Sequence, residues 1–405
     1  MKRLLVVEPD AGGHHFIPYL LFFAREAIAR GIEVHLLTTA SAMRHAAFAM
    51  LRESLPAALM VHAMPELPQA SAGGIDGLMR RQWNYWRAVA SGFAGIPRDT
   101  RPDHVFVLSM DGLDRVTALR GSPFGRTPFS GLFVHLKFHW GSLGIAPPGR
   151  FPAVQERLFS HLLGIKSLHS MATIDASLPD WWWQRHPRNA HKLRYVPDPG
   201  QIRLVDGREE ARKKLGLRPD GQVVLSYGNI SATKNLAALL RAAQVVGEPV
   251  MVVVAGKVEA DVKRDTLASA DAEVLRAAGQ LHVFDGFADL DMEQRLFAAA
   301  DVLWLGYARH FCGQSAVLAQ AASAGRPVLA REGGWIGWMT QQHGLGLCAE
   351  PTDADAVAAA LGRLRSDAVL AADIRAATQR FSVERSESAF AAAMMACIPD
   401  VAGWE

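Results

Sequence analysis

Residues 226–243 read "SYGNISATKNLAALLRAA": the end of a strand, a glycine turn and an amphipathic helix. The apolar run in "QVVLSYG" stops at Gly228 and Asn229, and from Leu236 the leucines and alanines recur at helical spacing. Lys234 stands where that helix should begin, although the positive end of a helix dipole disfavours a cation there. An anion lying between the two removes the conflict. In a parallel sheet the turn after a strand ends at a helix N-terminus, whose unpaired N–H groups form an anion site. Lys234 therefore reads as counter-charge to a phosphate held over residues 228–233, with Ser231 and Thr233 as hydroxyl donors or caps. The plain alternative is an exposed lysine on a capped helix. The turn is not a Walker loop, because it lacks the glycine spacing and the Lys-Ser/Thr pair.

The same grammar extends in both directions. Downstream lie the strand "PVMVVVAG", the strand "LHVFDGF", the helix "MEQRLFAAA", the strand "DVLWLGY", the helix "SAVLAQAASAG" and the strand "RPVLAR". The N-terminus, "RLLVVEPDAGGHHFIPYLLFFAREAIARGIEVHLLTT", reads as a βαβ unit in which Ile17, Leu20, Leu21, Ala24 and Ile28 share a helix face and Gly31 ends the helix. "HVFVLS" and "GLFVHL" add buried strands. A chain of 405 residues exceeds what one core usually serves. The predicted fold class is α/β: two doubly wound Rossmann-like domains facing a central cleft. Residues 1–200 form the first domain, residues 201–375 the second, and residues 376–405 a C-terminal helix that crosses back to the first. The Pro- and Gly-containing stretch "KLRYVPDPGQIRLVDG" is the expected linker. Ligands of such sheets bind at the carboxyl ends of the strands.

Half of the residues are apolar and a fifth charged, without low-complexity tracts, as in a globular chain. Cys312, Cys348 and Cys397 stand far apart with no metal or disulfide spacing, so a reducing, cytoplasmic location is expected. The apolar run Phe16–Ala24 is too short to span a bilayer. Net charge is +3, but residues 1–200 carry 22 Lys and Arg against 15 Asp and Glu, and the remainder 21 against 25. The basic first half favours an anionic partner, a phospholipid surface or a pyrophosphate-linked acceptor, and so peripheral membrane contact. Nucleic acid is not expected, because no basic cluster with interleaved aromatics occurs.

Read together, "GNISATKNLAALLRAA", "VFDGFADLDMEQRLFAAADVLWLGY", "CGQSAVLAQAASAGRPVLAREGG" and "GLGLCAEPTDADAVAAAL" resemble the donor-binding domain of retaining glycosyltransferases of the two-Rossmann (GT-B) architecture, family 4 type, over about residues 220–365. In that family a Gly-Arg-x-x-x-x-Lys turn and a helix N-terminus hold the donor pyrophosphate, and a Glu-x7-Glu pair contacts the sugar and the ribose. The resemblance places Gly228 at the turn glycine, Lys234 at the phosphate lysine, and Ser315, Ala316 and Val317 at the phosphate-binding helix start. It places Asn229 where the arginine would be, Cys312 at the first glutamate and Gln320 at the second. A carboxamide accepts ribose hydroxyls more weakly than a carboxylate, and a thiol is weaker still.

In the first half Gly12 and Gly13 let the backbone approach a ligand, flanked by Asp10, His14 and His15. The resemblance assigns His135, in "GLFVHLKFHWG", to the histidine that faces the transferred sugar, with His139 competing. Asp111 is the strand-end carboxylate expected to contact the acceptor. Trp83, Trp86 and the run Trp181–Trp183 read either as sugar- or lipid-facing surfaces or as packing between helices. The implied activity is metal-independent transfer of a hexose, with retention, from a nucleoside diphosphate sugar to a glycan or lipid-linked acceptor in cell-surface polysaccharide assembly. No cofactor or metal is expected. Two alternatives differ in outcome: a non-catalytic binding protein of the same fold, favoured by the missing arginine and glutamates, and a nucleotide-sugar epimerase.

Overall fold

In the computed structural model, which describes residues 2–12, 14–55, 59–68, 74–200, 202–246 and 250–400, the aliphatic runs pair into two parallel sheets. The first contains β1 (Arg3–Val7), β2 (Glu33–Thr39), β3 (Leu59–Met64), β4 (His104–Val107), β5 (Phe129–Phe133), β6 (Leu168–Thr173) and β7 (Leu193–Tyr195) in the order β3-β2-β1-β4-β5-β6-β7. The second contains β8 (Gln222–Tyr227), β9 (Val250–Gly256), β10 (Leu281–Asp285), β11 (Val302–Leu305), β12 (Val328–Arg331) and β13 (Gly346–Ala349) in the order β10-β9-β8-β11-β12-β13. Each order reverses direction once, between β1 and β4 and between β8 and β11. The carboxyl ends of those pairs are the topological switch points where doubly wound sheets bind ligands.

The chain divides into two units, one of residues 1–142, 148–199 and 387–405, the other of residues 143–147 and 200–386. In the first unit, Leu4 and Val6 point into one layer of helices and Leu5 and Val7 into the other, as the period of two requires. All four are fully buried, which is why this strand reads as a continuous aliphatic run. The helix Glu387–Met395 packs against Leu21–Ala29 and adds Phe390, Met394 and Met395 to that core. Phe390 is completely buried, its ring 5.2 Å from that of Tyr19. Removing such a ring costs about 3–5 kcal/mol, so the returning C-terminus is a large part of this unit's stability.

In the second unit the helix Leu236–Val245 buries Leu236, Leu239, Leu240 and Ala243, the i, i+3, i+4, i+7 stripe of a core-facing helix. The start of β8 is tied to β11 by Asp301, which accepts from the Val223 N–H at 2.7 Å and from Arg212 at 2.6 Å. Arg212 is fully buried, and it spends its remaining donors on the carbonyls of Pro219, Gly221 and Ala299. At the other end of the sheet the turn after β8 lies directly on β9. A Cβ on Gly256, at φ +124°, would sit 1.9 Å from the Gly228 carbonyl oxygen, so only glycine fits there.

Strands β3, β6, β7 and β13 go beyond the sequence reading, and β7 lies within the stretch taken as a linker. Three of these four are sheet edges, which face neighbours on one side only and need no aliphatic run. The first helix also differs from expectation. Pro18 has no N–H to donate, and Ile17 is extended (φ −126°, ψ 115°) within a widened turn over His15–Leu20, so the regular helix is Leu21–Ala29. Gly31, with φ +77°, takes the left-handed position after it. Among the described residues no helix is long and apolar enough to cross a membrane.

Candidate functional site

The switch point of the second unit is built from the loops after β8 and β11. Lys234 lies in a short helical turn, Ala232–Lys234, and Asn235, in the left-handed region at φ 51°, separates it from the helix Leu236–Val245. Its side chain is 5 % exposed and turns back over the loop. There Nζ donates to the Tyr227 carbonyl at 2.8 Å and to the Tyr307 hydroxyl at 2.8 Å. The Tyr307 hydroxyl is in turn 3.0 Å from the Ser315 hydroxyl, at the start of the helix Ala316–Ser323. The Ala308 N–H donates to the Thr233 carbonyl and the Trp304 indole to the Lys234 carbonyl, both at 2.9 Å, so the two loops are one hydrogen-bonded body. Among the described residues no carboxylate pairs with Lys234.

Gly228, Lys234 and Val317 meet at one point. A Cβ on Gly228, at φ +100°, would lie 3.9 Å from Lys234 Nζ and 4.0 Å from a Val317 methyl. Helix geometry leaves the N–H groups of Ala316 and Val317 without intrahelical acceptors, so a buried cation and a helix start converge over a glycine. Such an arrangement is fitted to an anion. Ser231 and Thr233 hydrogen-bond each other at 2.7 Å, and Ser231 makes no side-chain cap. Asn229 is turned outward, its amide donating to Glu259 at 2.8 Å.

Gln320 is held by a residue that the sequence reading did not single out. Its amide donates to Glu293 at 3.0 Å, and the Tyr227 hydroxyl donates to the same carboxylate oxygen at 2.8 Å. Burial and then the Glu293 hydrogen bond push the Tyr227 phenol pKa upward, so Tyr227 remains a donor. Cys312 makes only a weak contact, Sγ to the Arg309 carbonyl at 3.6 Å. Its loop faces Arg331, at the end of β12. Two guanidinium nitrogens donate to the carbonyls of Glu332, at 2.8 Å, and Phe311, at 3.3 Å, while the buried Nε has no partner. A small cavity separates Arg331 from Tyr307 and Gly313. The only sequence signals for Glu293 and Arg331 were a polar residue on an amphipathic helix and a cation closing a buried strand.

In the first unit the switch point holds Glu8, fully buried at the end of β1. It accepts from the Asp10 N–H at 2.9 Å, from the Ser109 hydroxyl and from His15 Nδ1 at 2.9 Å. Burial lowers the His15 pKa, but the hydrogen bond and charge of Glu8, with Asp10 and Asp111 behind it, outweigh this and raise it. Gly12 forms a tight turn, its N–H donating to the Asp10 carboxylate at 2.9 Å. Gly13 lies outside the described residues.

Asp111 and His135 are brought together, though through the backbone. The Asp111 carboxylate accepts from the N–H groups of Val134, at 2.8 Å, and His135, at 2.9 Å, which clamps the end of β5. His135 is exposed and lines a cavity of about 320 Å³ with Asp111, Asp114, Gln82 and Lys137. Burial raises the Asp114 pKa to about 6, and Gln82 donates to its carboxylate at 2.5 Å. His139 is a core residue, fully buried, its Nε2 2.9 Å from the Ser177 hydroxyl and 3.3 Å from Asp175. Trp181 and Trp182 are buried, Trp183 is 59 % exposed, and Trp83 stacks on Trp86 beneath Arg120.

Residues 207–381 match the family model described as glycosyl transferases group 1. Among solved structures, Anabaena HepE in complex with UDP is similar with a TM-score of 0.64 at 16 % identity, over 98 % of this chain and 99 % of that one. Sucrose-phosphate synthase from Thermosynechococcus elongatus matches with a TM-score of 0.63 at 15 % identity over 98 % of both chains. WaaG, described as a glycosyltransferase involved in lipopolysaccharide biosynthesis, matches with 0.57 at 17 % over 98 % of both. No curated protein matches the sequence. The fold is the two-Rossmann-domain GT-B architecture, the second unit carries the group 1 domain, and the chain is a glycosyltransferase.

Proposed function

We propose that this glycosyltransferase takes a hexose from a nucleoside diphosphate sugar and passes it to a glycan or lipid-linked acceptor, with retention, as a family 4 type enzyme of cell-surface polysaccharide assembly. One observation carries the donor assignment. Lys234 is a buried cation with no carboxylate partner among the described residues, aimed over Gly228 at the start of the helix Ala316–Ser323. Burying an unpaired cation costs several kcal/mol, and a bound pyrophosphate is the counter-charge that offsets this cost. The structures of HepE with UDP and UDP-glucose supply the chemical precedent among proteins of this fold.

In this reading the backbone of Ser315, Ala316 and Val317 and the Lys234 ammonium take up the negative charge that develops on the leaving diphosphate, the form of catalysis that acts where charge appears. Gln320 and Glu293 together receive the ribose hydroxyls, so the carboxylate missing from position 320 is supplied from the preceding helix. Arg331 provides the second cation that Asn229 does not. The acceptor hydroxyl attacks on the face from which the diphosphate leaves, and the departing phosphate takes its proton. His135, held in place by Asp111, contacts the transferred sugar. The protein works at the cytoplasmic side of a membrane, in peripheral contact through its basic first unit.

The test is a thermal-shift panel of UDP, GDP, ADP, TDP and CDP with their common sugar conjugates, since a ligand that binds only the native state raises the melting temperature. A selective shift that is followed by sugar transfer to an acceptor supports the reading. No shift with any nucleotide overturns it.

A further inference from the structure

At the amino end of the first sheet, the segments that lead into β5, β6 and β7 enclose a concavity of about 1130 Å³. Arg126 precedes β5, Lys166 and His169 flank the start of β6, and His191, Lys192 and Arg194 flank the start of β7. Asp400 is the one acid on its wall among the described residues. The cavity is remote from the ligand-binding end of the same sheet, because β5, with Gly125–Pro128 at one end and His135 beyond the other, spans about 17 Å at 3.3 Å per residue.

A structural role accounts for part of this charge. Parallel α/β units direct helix carboxyl ends toward the amino ends of their strands, where cations are favoured. Lys192 does this work, its Nζ donating at 3.1 Å to the Ile165 carbonyl just past the helix Pro152–Leu163. Arg126, Lys166 and Arg194 do not: all three are exposed, and none of their side chains is bonded to another described residue. Three strong cations, unpaired among the described residues, around one concave surface repel each other and focus a positive potential into it. The excess of Lys and Arg in residues 1–200 thus has a specific location as well as a sum.

We propose that this cavity is a second anion site, binding a phosphate-bearing ligand through Arg126, Lys166 and Arg194 independently of the donor site. The same phosphate chemistry is presented by an anionic phospholipid headgroup and by a soluble phosphorylated molecule. The proposal does not depend on the donor assignment.

Two ligands separate the sources: inorganic pyrophosphate, followed by calorimetry, and sedimentation with vesicles of phosphatidylglycerol in phosphatidylcholine, against phosphatidylcholine alone. Three proteins separate the sites: the full chain, Lys234→Met, and the triple variant Arg126→Ser, Lys166→Ser, Arg194→Ser built into Lys234→Met. The expected result is binding that survives Lys234→Met and weakens at least about tenfold when the triple substitution is added to Lys234→Met, since each charged hydrogen bond contributes on the order of 1.5–3 kcal/mol. Vesicle capture without pyrophosphate binding identifies the lipid source, and the reverse identifies the soluble one; both support the site. The proposal is overturned if the triple variant binds both probes as well as Lys234→Met alone. It is equally overturned if pyrophosphate binding disappears in Lys234→Met and vesicles are not captured by any form. An unchanged melting temperature verifies that the triple variant folds, and the single variant Arg126→Gln, expected to weaken binding severalfold, carries the test if it does not.

Discussion

Replacing Lys234 with methionine keeps most of the buried stem and removes only the charge and its donors. On the stability side, two hydrogen bonds are lost, each contributing about 1 kcal/mol net. The Tyr307 hydroxyl keeps Ser315 at 3.0 Å, so one group, the Tyr227 carbonyl, is left unsatisfied at about 1–3 kcal/mol. Against this, a cation that is 5 % exposed and without a carboxylate among the described residues no longer has to be desolvated, a relief of several kcal/mol. The opposed effects leave a net change within about 2 kcal/mol of zero in the unliganded protein. Binding has no such compensation. Loss of a charge-assisted contact to phosphate costs about 1.5–3 kcal/mol, or roughly 10- to 150-fold in affinity. Calorimetric titration of the nucleoside diphosphate selected by the thermal-shift panel and of its nucleoside should therefore show a diphosphate preference that collapses in Lys234→Met, while the nucleoside affinity stays the same. Equal losses for the two ligands, or destabilisation beyond about 4 kcal/mol with nucleoside diphosphate affinity intact, would refute the phosphate role and make Lys234 a structural tie between the two loops.

Two further outcomes concern the first unit. Asp111→Asn leaves one of the N–H groups of Val134 and His135 without an acceptor, so it should destabilise the protein by about 1–3 kcal/mol and lower kcat. His135→Gln, at an exposed position, should lower kcat with no change in melting temperature, and a loss of stability in that variant would contradict the assignment. The His15 pKa is raised by Glu8, so their ion pair stabilises the fold fully below the ordinary histidine value near 6.5 and is lost as pH rises through the raised value. The melting-temperature difference between the native chain and His15→Gln should accordingly shrink above pH ~6.5, and a difference that grows with pH would sink the pairing.

The parts of this molecule that were legible in sequence are those whose cause is local. Leu236, Leu239, Leu240 and Ala243 announce a buried helix face by spacing alone, and a lysine at a helix start is an electrostatic anomaly visible without coordinates. The central strands are legible because burial on both faces demands unbroken aliphatic runs, whereas β3, β7 and β13, at the sheet edges, are under no such demand. The site was less legible wherever its members are distant in the chain. Glu293 meets Gln320 from another helix, Glu8 meets Ser109 across the switch point, and Arg331 reaches the Phe311 carbonyl from the next strand. Position-by-position comparison registers Asn229, Cys312 and Gln320 as losses, because it asks what stands at a given place in the chain. A ligand responds only to which charges and hydroxyl acceptors surround it. Glu293 stands 3.0 Å from Gln320, so under the proposed reading the carboxylate that position 320 lacks comes from another helix, and one of the departures that favour a non-catalytic binding protein loses its weight.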